Sequence, residues 1–163
     1  MLATTATAYT AGSFALQGLA TATIAVAATD TAATLAASVN SATTTTGVTA
    51  TATNTESATF VAGASYSLGV ISDNGTAANV TFTVGAALNP AGLASAVSAF
   101  NDVSSKTGVT AKLNSTNTGL ILTNPGGNNI TLANNSASAS VTVASINGAG
   151  VVGGTAAVAT GAT

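Results

Sequence analysis

The chain has 163 residues, 47% of them hydrophobic and only 4% charged, with a formal net charge of -2. Two lysines, Lys106 and Lys112, cannot neutralise a row of phosphates or an anionic membrane surface, so nucleic-acid and polybasic membrane binding are excluded. With no Cys and no His, disulfides, thiol chemistry and a Ser–His–Asp arrangement are excluded as well.

Much of the apolar content is Ala, and the larger apolar residues occur in short clusters separated by Thr. Thr and Val favour strands because branching at the β-carbon suits a pleated surface. Apolar runs are interrupted well before the roughly 20 residues that cross a bilayer, and no basic segment followed by a Leu-rich stretch marks a conventional secretory signal. TATATNT from Thr49 and NNSASAS from Asn134 have the composition of unstructured surface. The alternating segments between them predict that residues 12–146 fold.

In chain order, SFALQ and TATIAVA read as two strands, the second alternating Ile24 and Val26 with smaller residues. DTAATLAASVN then reads as a helix capped by Asp30, with Ala32, Leu35, Ala36 and Val39 on one face. TGVTA follows, and ATFVA from Ala58 returns as a strand.

The same order recurs. SYSLGVI and NVTFTVG predict strands, joined across Asp73-Asn74-Gly75 by a tight hairpin in which Asn74-Gly75 supplies positive dihedrals. NPAGLASAVSAFNDV opens a helix, with Asn89 as cap, Pro90 at the first helical position and Leu93, Ala96, Val97, Phe100 and Val103 on its apolar stripe. A second TGVTA sits sixty-one positions after the first, followed by GLILTN as return strand. Gly47 and Gly108 are expected to turn the chain after each helix, and Val48 and Val109 to point back between helix and sheet. TNPGGNNI reads as a tight connection between return strands, SVTVASI as an additional edge strand or the start of a truncated third unit, and the Gly-rich end as an exit linker or lightly packed last strand.

The fold class expected is therefore α+β, predominantly β: two similar small sheet-and-helix units with one short helix each, over residues 12–64 and 65–135, with 136–163 as an added edge strand or linker. Phe14, Phe60, Phe82 and Phe100 fit buried positions, and Tyr9 and Tyr66 are read as exposed.

No constellation carries catalysis. Lys106 beside Ser105 reads as a helix terminus, the four acids Asp30, Glu56, Asp73 and Asp102 form no local glycosidase signature, and Asp73-Asn74-Gly75 lacks the later ligands of an EF-hand loop. The Gly-rich stretch after Asn147 has no Lys for a phosphate loop. Neither an enzyme nor a cofactor or metal site is expected.

The segment VTFTVGAALNPAGLASAVSAFNDVSSKTGVTAKLNSTNTGLILTN at 80–124, followed by NNITL at 128–132, resembles the flagellin hook IN motif. A weaker match covers ATIAVAATDTAATLAASVNSATTTTGVTATA at 22–52 and ATFVA at 58–62. The resemblance implies a non-enzymatic, extracellular structural module, the surface-exposed outer domain of a bacterial flagellar filament protein, with Gly47, Val48, Gly108 and Val109 in structural roles. It also implies other subunits of the same filament as partners and a Ser/Thr-rich surface compatible with O-linked glycans. A filament cap or junction component and an adhesin-like module are the alternatives. The chain lacks the long amphipathic heptads of a flagellin filament core.

Overall fold

The computed structural model describes residues 9–137, 139–147, 150–153 and 156–160, and the backbone path of residues 2–4. The architecture is α+β and predominantly β. The elements are β1 (Leu2–Thr4), β2 (Gly12–Gln17), β3 (Thr21–Val26), α1 (Ala32–Ser41), α2 (Thr43–Thr46), β4 (Asn54–Thr59), β5 (Ser65–Ile71) and β6 (Ala78–Thr83). They continue with α3 (Pro90–Asp102), α4 (Ser104–Thr107), β7 (Thr110–Leu113), β8 (Leu120–Asn124), β9 (Thr131–Asn134), β10 (Val141–Ser145) and β11 (Ala157–Ala159).

Among the described residues three antiparallel sheets result, in the strand orders β1-β9-β5-β6, β11-β10-β4-β8-β7 and β2-β3. The inner face of the five-stranded sheet carries Ala58, Leu120, Leu122, Val141 and Val143, all fully buried. Opposite them, Leu68 and Val70 of β5, Val80 and Phe82 of β6 and Leu132 of β9 complete the core, with Leu93, Ala96 and Phe100 of α3 on its flank. Alternation in β6, where Ala78, Val80 and Phe82 point in and Asn79, Thr81 and Thr83 point out, follows from the two-residue period of a pleated strand.

Each expected helix is two helices. Ala42 ends α1 and Val103 ends α3 with ψ near zero, and a single further turn, α2 or α4, runs to the glycine. Asp102 and Lys106 therefore belong to different helices.

Several expectations are corrected. The return strand of the first repeat does not fold back on its own unit: β4 lies in the five-stranded sheet between β8 and β10. Phe60, just beyond it, packs edge-on against Tyr66 and Phe82 with ring centroids 5.2 and 5.3 Å apart. The segment from Ser140 forms an interior strand rather than an edge, because β10 pairs with β4 on one side and β11 on the other. The turn after β8 connects the two large sheets instead of two neighbouring strands.

Tyr66 is buried at 3% exposure and Phe14 is open at 39%, the reverse of what their spacing suggests. Tyr66 is covered because β9 and Phe60 close over its unit, whereas among the described residues β2 pairs only with β3. Tyr9 is half-buried.

Candidate functional site

The sequence element that recurs has a recurring geometry. In the second unit Asn101 on the last turn of α3 reaches the backbone ten residues on: its amide donates to the Ala111 carbonyl at 3.0 Å, and the Ala111 N–H donates to its Oδ1 at 2.8 Å. In the first unit Asn40 holds Ala50 in the same way, at 2.9 and 2.8 Å. A side-chain amide thus imitates one residue of a β-ladder and locks the end of the helix to the segment after the turn.

Between clamp and anchor, each letter of Thr-Gly-Val has a task. Thr107 Oγ1 donates to the Val103 carbonyl at 3.0 Å and accepts the Val109 N–H at 3.2 Å, and Thr46 does the same with Ala42 and Val48 at 2.9 and 3.2 Å. Gly108 and Gly47 follow at φ 69° and 71°, the left-handed region where an added β-carbon is strained. Their N–H groups return to the carbonyls of Ser104 and Thr43 at 2.8 and 2.7 Å, which closes each short helix. Val109 is fully buried in the core, and Val48 is half-buried.

The preceding hairpin tip docks on this turn in both units. The Asp73 N–H donates to the Thr107 carbonyl at 3.1 Å, and the Leu19 N–H to the Thr46 carbonyl at 2.8 Å. A duplicated sequence therefore positions a duplicated set of backbone and side-chain bonds.

The helix starts differ. Asn89 caps α3 as expected, with its Oδ1 accepting the Gly92 N–H at 2.8 Å and Pro90 following. At α1 the cap is Thr31, not Asp30. Thr31 accepts the Thr34 N–H at 3.1 Å while Thr34 Oγ1 accepts the Thr31 N–H at 2.9 Å, a reciprocal pair that satisfies two free donors. Asp30 stands one residue earlier, where its carboxylate accepts the Ala27 N–H at 2.7 Å and the Thr34 hydroxyl at 3.0 Å.

Asp73-Asn74-Gly75 is a longer loop than the expected two-residue turn, and neither Asn74 nor Gly75 has positive φ. Asn74 braces it by accepting the Ser72 N–H at 2.9 Å and donating to the Val70 and Thr76 carbonyls at 2.9 and 2.7 Å. The Asp73 Oδ1 accepts from the amides of Asn124 at 2.6 Å and Asn128 at 2.9 Å. The orientation of Asn124 is set by the Gly126 and Asn128 N–H groups on its Oδ1. Asp73 is thus an acceptor that ties the hairpin tip to the end of β8, surrounded by donors rather than by the oxygen ligands a calcium ion needs. Among the described residues no group of three or more His, Cys, Asp or Glu side chains comes together.

Of the remaining expected positions, Leu93 and Phe100 are fully buried, Phe82 is buried at 7% and Val97 is half-buried beside the core. Ring centroids of Phe82 and Phe100 are 6.0 Å apart, and Tyr66 stacks on Phe82 at 5.2 Å. The Tyr66 hydroxyl donates to the Ser140 carbonyl and accepts the Val61 N–H, each at 2.8 Å. Burial pushes its pKa above 10.0, partly offset by the Val61 bond. Lys106 lies exposed in the last turn of α4.

Three contributors are not apparent in the sequence alone: the Asn40 and Asn101 clamps, the Thr46 and Thr107 bonds, and Thr31. The only trace of the clamps is an Asn ten positions before an Ala in both repeats. No protein-family model matches the chain. No curated protein sequence matches it either.

Proposed function

We propose that the chain is a structural, surface-exposed outer domain of a bacterial flagellar filament protein, with no catalytic activity of its own, working outside the cell among other subunits of the same filament. The observation that carries this reading is the placing of β1 beside β11, at the meeting edges of the two large sheets. A domain whose first and last strands lie side by side can be inserted into a host chain as an outgrowth without separating the flanking segments. Chains of residues locked by Asn clamps and left-handed glycines suit a rigid projection, and the exposed Ser and Thr hydroxyls of β6 and its neighbours offer attachment points for O-linked glycans.

The test is immunogold labelling of native filaments with antibodies raised against this chain. Decoration along the full length of the filament is expected. Labelling confined to the tip or to the hook junction would assign a cap or junction component instead, and unlabelled filaments would overturn the reading.

A further inference from the structure

The two units share their clamps but not their cover. In the second, β5 is flanked by β9 and β7 by β8. In the first, among the described residues, the hairpin counterpart β2 pairs only with β3, and Thr51–Thr53, which follow the clamped Ala50, make no backbone hydrogen bond. The strand that would have returned over this unit, β4, is given to the five-stranded sheet.

What remains is an open apolar trough of about 360 Å³ between Phe14 of β2, Leu35, Ala36 and Val39 of α1, and Ala50. Its residues correspond to closed positions in the second unit. Phe14, cross-strand from Ile24, matches Tyr66, cross-strand from Phe82, yet is 39% exposed against 3%. Ala50 matches Ala111, which is buried and lies in a strand paired with β8. The Gly127 turn packs beside α1 and Ala52, accepting the Ala33 N–H at 3.2 Å and lying so close to Ala52 that a β-carbon at 127 would collide with it.

Size and charge narrow the occupant. Ten residues line the trough, against roughly 20 to 30 a side in a standard interface between folded proteins, so a second folded copy finds too little surface. No charged residue is among the ten, so a charged segment would lose hydration without a partner. We propose that the trough binds one extended, uncharged strand of a partner chain, with apolar side chains at alternate positions, laid along Thr51–Thr53 as β8 lies along β7. Backbone bonds to Thr51–Thr53 supply affinity and the trough selects the apolar side chains, the mode known as strand addition. This inference is independent of the proposed flagellar role.

The probe is a fluorescein-labelled peptide Gly-Leu-Ile-Leu-Thr-Asn, copied from residues 119–124, titrated with the full chain by fluorescence anisotropy. Saturable binding is expected, with a shuffled peptide whose leucines are adjacent at least tenfold weaker. Ala36→Phe, which fills the trough, should weaken binding at least tenfold while leaving the circular dichroism unchanged. Slowed amide exchange at Thr51–Thr53 of the unaltered chain on peptide addition decides the matter should that variant not fold. Absence of saturable binding, equal affinity for the shuffled peptide, unchanged affinity of a folded Ala36→Phe, or slowing elsewhere but not at Thr51–Thr53 would each overturn the proposal. So would a concentration-dependent dimer that Ala36→Phe dissociates, since the occupant would then be a second copy.

Discussion

Asn101 and Ala111 exchange two hydrogen bonds, 3.0 and 2.8 Å long, across the turn that separates a helix from a strand. Replacing Asn101 by Ala leaves the partly buried N–H and carbonyl of Ala111 without these partners. The expected loss is about 1–3 kcal/mol in urea denaturation. Asn40→Ala should cost less, because the equivalent bonds in the first unit are exposed to water, which takes over the freed groups.

Gly108→Ala should destabilise the fold more than Gly47→Ala. Both residues have positive φ, which costs an L-residue roughly 1–2 kcal/mol. At Gly108 a β-carbon also collides with the Asp73 carboxylate, which Asn124 and Asn128 hold in place, whereas at Gly47 it meets only the end of the exposed Leu19 side chain. Thermal melting of the two variants side by side makes the comparison.

Truncating Phe100 to Ala empties a fully buried site and should cost about 3–5 kcal/mol. Phe82→Ala should fall in the same range. Phe14→Ala, by contrast, removes a ring already 39% exposed and should cost less than about 2 kcal/mol. Equal losses at Phe14 and Phe100, measured by chemical denaturation, would contradict the unequal closure of the two units.

Thr31→Ala should reduce stability by about 1 kcal/mol, since it removes the side-chain acceptor that caps α1. Thr31→Ser keeps the acceptor and should recover most of the loss in the same denaturation assay.

The buried Tyr66 hydroxyl binds its proton more tightly in the folded chain than in the unfolded one. Above 10.0, the ordinary tyrosine value, the unfolded chain therefore releases this proton first, and stability declines as pH rises through the folded pKa. Absorbance at 295 nm in a Tyr9→Phe background should show Tyr66 ionising later than a free tyrosine and together with alkaline unfolding.

Local signals made the helices legible. Asn89-Pro90 marks the start of α3, its apolar stripe follows helical spacing, and the repeated Thr-Gly-Val identifies both left-handed turns. The cap of α1 was harder to place because Asp30 and Thr31 are adjacent good cappers, and the choice depends on the reciprocal bond that Thr34 makes with Thr31. Asn74 could not be read as a loop brace, since Asn-Gly also suits a two-residue hairpin, and only the distances to Val70 and Thr76 distinguish the two. The destination of β4 is not written in its own residues. Its residues and the following Phe60 have the same strand pattern whichever sheet they join, and what decides is the pairing of Ala58 with both Leu120 and Val143, contacts far away along the chain.

That pairing makes the two halves inseparable despite their likeness. A break at the boundary between the repeats would carry β4 away from β8 and β10 and leave the later half with a vacant lane through its larger sheet. Coexpressed fragments severed after Ala64 should consequently reassemble with each other, while the later fragment by itself should aggregate through its two unmatched strand borders.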